Sequence, residues 1–186
     1  MRFDADAAVI NVTAQEGAQA ISVAEQTRGA TPTKQVNGTN AVLTAKCPQG
    51  VNFGDSCRVD YTVTVPARVT VDIQGAAGDI TLTGPLATAT VNTVAGRITG
   101  TGLGAGTFQV TTKAGAVDLT FAAAPTLVKV ETEASQVTVA VPGADKYNVT
   151  VNTTFGSQDV AVDQDPSAAH RIDIRTKVGT VTVKRG

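Results

Sequence analysis

The segments "FQVTTKAGAVDL" (108–119) and "VKVETEASQVTV" (128–139) share one plan: an apolar-x-apolar pair, a Thr, a small-residue turn, then a second apolar-x-apolar pair. In both, the second and third apolar residues stand seven apart, Val110 to Val117 and Val130 to Val137. "VDIQGAAGDITL" (71–82), "ATVNTVAGRITG" (89–100) and "IDIRTKVGTVTV" (172–183) keep that interval. "VTVNTTFGSQDVAV" (149–162) and "INVTAQEGAQAISV" (10–23) fit with two residues inserted after the turn. A single hairpin would not recur in this way, so the chain is read as a repeat array. Each apolar-x-apolar pair is a short strand with one buried face, because side chains alternate across a strand.

From Val71 through Ala89, Phe108, Val128 and Val149 to Ile172 the step is 18, 19, 20, 21 and 23 residues. Two short strands per step, one turn of fixed length and one connection that drifts suggest coils stacked in parallel. The expected fold is all-β: a β-solenoid (β-helix) of about six to seven coils with two main sheets. The alternative is a β-sandwich, whose alternating strands fit the same pattern. Composition agrees with an all-β chain. Val and Thr dominate, aromatics are 4%, and 18 Gly supply turns.

The columns of this array carry chemistry of their own. Gly78, Gly96, Gly115, Gly156 and Gly179 occupy the turn, as expected where φ must be positive, with Ser135 as the exception. Ala77, Ala95, Ala114 and Ala134, then Phe155 and Val178, read as an inward corner that enlarges toward the C-terminus. Thr93, Thr112, Thr132, Thr153 and Thr176 form another column, able to bond along the ladder or to turn backbone. Val110, Val117, Val130 and Val137 should be buried, with Gln109, Lys129 and Glu131 facing solvent.

The chain reads as a single domain over 1–186, with 1–66 as an irregular entry and cap and 67–186 as regular coils. Within the entry, Cys47 and Cys57 flank a Pro- and Gly-bearing loop between two strand-like runs. They are expected to form a disulfide that staples a hairpin near its mouth. Such a bridge favours an oxidising compartment.

"YTVTVPARVTVDIQGAAGDITLTG", followed by turns of the type V-x-T-x-x-G-x-V, resembles a bacterial family known as the putative-adhesin family, otherwise of unknown function. The similarity covers most of the chain and is best at 59–141. It implies a β-solenoid on the cell envelope, held near the membrane by a further segment and in some members tied to envelope-stress systems. It implies no catalytic residues.

Other classes find less support. A net charge of -1 with scattered Lys and Arg argues against nucleic acid. No apolar run approaches the length of a membrane span. The opening "MRFDADAAV" lacks the basic and apolar regions of a signal peptide, which with the cysteines suggests an ectodomain without its tether. His170 is the sole histidine and sits in "DQDPSAAH", without the partners that metal sites or nucleophiles need. Asp159, Asp163 and Asp165 cluster but lack calcium-loop spacing. Thr81, Thr83, Thr99 and Thr101 suggest a T-x-T rank of the ice-binding kind, interrupted at Asp118, Ala140, Asp163 and Lys184.

The resulting expectation is a non-enzymatic, extracytoplasmic interaction or sensing module, with no cofactor, an envelope protein or glycan as partner, and a monomer or weak dimer in solution. The alternatives are a self-assembling scaffold and, further off, a polysaccharide-active enzyme. The strand 172–183 is expected to be the open C-terminal edge, guarded by Lys177, Lys184 and Arg185.

Overall fold

Apolar–polar alternation at period two leaves each segment one apolar face, and the segments that carry it are strands. The computed structural model describes residues 1–37, 40–48 and 57–186, and their regular structure is β throughout. In chain order the strands are β1 (Arg2–Gln15), β2 (Ser22–Arg28), β3 (Thr31–Asn37), β4 (Asn40–Lys46), β5 (Arg58–Pro66), β6 (Thr70–Ala77) and β7 (Ile80–Thr83). They continue as β8 (Thr88–Asn92), β9 (Ile98–Leu103), β10 (Thr107–Phe121), β11 (Leu127–Val141), β12 (Tyr147–Ala161) and β13 (His170–Arg185).

Apart from β2 with β5 and β3 with β4, the strands pair in parallel. Parallel pairing excludes the sandwich of hairpins. The pairings fall into two rows. One runs β3–β4–β1–β6–β8–β10–β11–β13–β12, and the other takes in β2, β5, β7 and β9. The long strands β1, β10, β11, β13 and β12 belong to both rows. As a result there is one 13-stranded sheet rather than two, and β1, β6, β8, β10, β9 and β7 close a six-stranded parallel barrel with further strands beyond it.

What lets the strands run through both rows is the corner. Gly78, Gly96, Gly115, Gly156 and Gly179 have φ between 134° and 147°. A Cβ at Gly96 would collide with the carbonyl oxygen of Gly78, and one at Gly115 with that of Gly96. Each strand thus turns over its neighbour at a distance only glycine permits. Ser135 is the exception for a local reason: its φ is not positive, and its buried hydroxyl accepts a 2.5 Å hydrogen bond from Thr132 Oγ1. In other rungs the Thr hydroxyl donates to turn backbone instead. Thr93, Thr112 and Thr176 reach the carbonyls of Ala95, Ala114 and Val178 at 3.4, 3.3 and 3.2 Å.

Between the rows lies an apolar core in which Val110, Val117, Val130 and Val137 are buried, while Gln109 is exposed and Lys129 and Glu131 are half-exposed. Ile73, Val91, Val110, Val130 and Ile174 stack in one register column. Phe108 and Phe121 close part of the core edge to face, with ring centroids 5.0 Å apart.

The structure corrects several expectations. Stacking does not follow chain order at the C-terminal end: β13 lies between β11 and β12, so the open edge is β12 and not 172–183. Chemistry explains the exchange. The inward residues of β13, Ile172, Ile174, Val181 and Val183, are wholly apolar and are 0% exposed. Outward, β13 sets Asp173 beside Lys129 and Arg175 beside Glu131, opposite charges on adjacent strands. β12 offers neither feature and takes the end.

No two-residue insertion follows the turn in β12. Gly156 pairs with Gly179 and Gln158 with Val181, so a polar Gln stands in an inward column that only a terminal rung could leave so weakly packed. The column Ala77, Ala95, Ala114, Ala134, Val178 and Phe155 is not an inward corner either. Phe155 is 69% and Val178 52% exposed, because the glycine bend turns these residues outward.

The entry 1–66 is more regular than expected. β1 is an internal rung, its first half against β4 and β6 and its second half against β5 and β7. The segment 10–23 is therefore no coil of its own, since 10–15 is the second half of β1 and β2 turns back antiparallel. Cys47 and Cys57 are bonded, with Cα atoms 5.9 Å apart. They do not close a hairpin, however. β4 and β5 both run parallel to β1, and the bridge spans the corner of one rung. The loop residues 49–56, with Gly50 and Gly54, lie outside the described residues. Among the described residues β2 and β3 form the cap.

Candidate interaction surface

The outward faces of the rungs nearest β12 carry a closely spaced set of charges. Lys129 Nζ lies 3.0 Å from Glu131, Arg175 Nε 3.4 Å from Asp173, and Lys177 Nζ 3.2 Å from Glu133. All sit on two adjacent strands, β11 and β13, because the pleat returns every second residue to the same face. Asp173 is unusual among them, being buried to 8% exposure between two neighbouring strands.

Where these strands approach the corner, the surface dips into a groove of about 610 Å³. Glu131, Asn152, Arg175 and Lys177 supply its charged and amide groups, and Thr132, Thr153 and Thr176 its floor. Thr153 Oγ1 is buried there without a hydrogen-bond partner. A second hollow of about 370 Å³ lies in the corresponding place on the N-terminal rungs, among Asp4, Asp6, Gln74 and Asn92. Lys46 partly neutralises that end, at 2.7 Å from Asp4 and 3.2 Å from Asp6. Asp6 also accepts the Cys47 backbone N–H at 3.0 Å, which ties the disulfide corner to β1.

Beside the groove runs the corner ridge, small alanines over most of its length, then Val178 and Phe155. Among the described residues Phe155 is therefore the largest well-exposed apolar side chain. Sequence reading placed this column inside, since alternation alone cannot show where a glycine reverses the facing.

The remaining candidate residues do not converge. His170 Nδ1 lies 2.9 Å from the Pro125 carbonyl, and its ring stands 5.9 Å from that of Tyr147, so it packs at the start of β13. Asp163 pairs with Arg185 at 2.8 Å. Asp165 accepts from the Ser167 hydroxyl at 2.6 Å and its N–H at 2.9 Å, which holds its carboxyl below the usual range. Asp159 is exposed on β12. No group of three metal-ligating side chains occurs among the described residues. Thr81 pairs with Thr99 and Thr83 with Thr101, but the next strand brings Asp118 and a register shift between Leu119 and Phe121. The flat T-x-T rank ends there. Gly78, Gly96, Gly115, Gly156 and Gly179 with the Cys47–Cys57 bridge shape the frame.

No known protein family's sequence profile matches the chain, and no curated protein does. The fold is similar to that of a putative cell adhesion protein from Clostridium sporogenes, with a TM-score of 0.50, 11% identity, and coverage of 100% of this chain and 92% of that one. At that identity the likeness concerns the fold. Among the described residues no helix is long and apolar enough to cross a membrane.

Proposed function

We propose that this chain is an extracytoplasmic, non-enzymatic interaction or sensing module of the bacterial cell envelope, which meets a glycan or protein partner along its corner groove. The observation that carries the reading is the groove itself. The Asn152 amide, the threonine hydroxyls and the charges of Glu131, Arg175 and Lys177 are spread over adjacent strands at the regular strand spacing, the form suited to an extended, repeating polar ligand. The architecture we read as a β-solenoid, since successive rungs keep the same column register. The six-stranded ring closes only because β1 and β10 each pass through both rows. A disulfide favours an oxidising compartment. The likeness in fold to a protein named for cell adhesion fits the same view. In and beside the groove Glu131 pairs with Lys129, Asp173 with Arg175 and Glu133 with Lys177, an arrangement that suits a recognition surface better than paired acid–base chemistry.

A screen against peptidoglycan fragments, envelope polysaccharides and glycan arrays tests this directly. Binding that falls at least about tenfold in Arg175→Ala or Asn152→Ala would support the groove, since losing one well-made charged hydrogen bond is worth about that much. Release of reducing ends or unsaturated sugars from any of those polymers would place the protein among enzymes and overturn the reading.

A further inference from the structure

The open strand β12 has the makings of a self-complementary face. It is 15 residues long and contains no Lys or Arg and a single Asp, whereas charge, Pro or short length is the ordinary protection of a sheet edge. Its inward residues Val149, Val151 and Val160 are only half-buried, and with Gln158 and Gln164 they line a cleft of about 370 Å³ at the end of the core. The chain itself covers only the start of this edge. Tyr147 N–H donates to the Asp163 carbonyl at 2.9 Å and Asp165 N–H to that of Tyr147 at 3.0 Å, and among the described residues no strand pairs with the outer side of 149–161.

We propose that β12 pairs antiparallel with β12 of a second copy, about a two-fold axis through the Gly156 corner. In such a pair the first half of β12 lies over the second half of its partner, and one register matches the inward positions on either side of the corner. Val151 then faces Val160, and Thr153, whose buried hydroxyl lacks a partner, faces Gln158. Asp159 meets Asn152 and never its own copy, so no like charges oppose each other. Phe155 falls beside Gly156 and diagonal to the partner's Phe155, which covers the most exposed large apolar side chain described. The face is isologous, so assembly stops at two. The β2–β3 end, antiparallel to its neighbours and bearing Glu25, Arg28, Pro32 and Lys34, presents no matching surface for head-to-tail growth.

Sedimentation of the intact, oxidised chain across the micromolar range should give twice the mass of the 18.9 kDa chain. Val160→Lys should raise the dimer dissociation constant at least about tenfold while the thermal unfolding of the monomer stays close to that of the parent. As a readout independent of core packing, the doubly substituted Asn152→Cys, Asp159→Cys chain should cross-link to covalent dimers under mild oxidation, since both positions are exposed. A monomer at every concentration, open-ended filaments, or dimers that do not cross-link through 152 and 159 would each overturn the proposal.

Discussion

The two ends of the ladder solve the same problem differently. At one end, β2 and β3 are seven residues each, reverse direction, carry Pro32 and charges, and rest on a rung stapled by Cys47–Cys57. At the other, β12 is 15 residues, runs parallel to β13 and bears almost no charge. An antiparallel cap ends a parallel stack because its outer edge offers a mismatched pattern to another parallel rung. The β12 end preserves the parallel pattern, so it behaves as an unfinished rung. One end is closed against further rungs, and the other leaves a pairing edge open.

The largest effect that would sharpen this contrast is a change at the corner. Gly179→Ala in β13 puts a Cβ against the Ser135 carbonyl at φ +147°, with strands packed on both sides. A loss of at least about 3 kcal/mol in denaturant unfolding is expected. Gly156→Ala meets the Gly179 carbonyl in the same way, but in the monomer no described strand lies beyond β12, so at concentrations that keep the chain monomeric that strand can move outward and the loss should be smaller. Equal losses would show that β12 is as tightly held as the interior.

Removing the bridge with Cys47→Ser and Cys57→Ser comes next. The separation of 10 residues implies a loss of about 2–3 kcal/mol in the chain-entropy account. Hydrogen exchange should then quicken first in β4, β5 and β2 and leave β11 and β13 protected. Uniform loss of protection would mean that the two ends unfold as one unit.

A pair of truncations compares interior and edge within one half of the molecule. Val130→Ala empties a site that is 0% exposed and should cost about 1–3 kcal/mol. Val160→Ala, half-buried at the open end, should cost less than about 1 kcal/mol in the monomer. Thermal or urea unfolding of both variants measures the difference.

These expectations rest on columns that are visible in the primary structure only in part. The apolar pairs around Val110 and Val130 reveal the strands, their facing and their register, since burial of alternate residues and a fixed seven-residue interval leave little choice. The partners of Cys47 and Cys57 were equally readable. Rung order was not, because Val149 and Ile172 both satisfy the same local pattern. The exchange of β12 and β13 is decided by which strand has neighbours on both sides. The groove shares that fate: Glu131 and Arg175 become neighbours only once β13 has moved inward.

The smallest effect compares the two tyrosines, one near each end. Burial, with Glu25 adding, pushes the Tyr61 phenol up to about 12. Burial, with Asp145 adding, also raises Tyr147, whose hydroxyl donates to the Pro142 carbonyl at 2.8 Å. A raised folded-state value means that the protonated phenol favours the fold. Its stabilisation is complete below the ordinary value of 10.0 and is lost as pH climbs toward the folded value. Phenolate absorbance in an alkaline titration should therefore lag behind free tyrosine at both ends. A tyrosine that ionises at its ordinary value would show that its end opens readily.

Local chemistry alone settles the all-β character, the facing of each strand, the glycine corner and the disulfide, because each depends on side chains within one rung. Long-range competition settles which rung lies where and where a groove forms. Those outcomes depend on packing and charge between strands distant in the chain, and segments with the same local pattern are told apart only by the neighbours they keep.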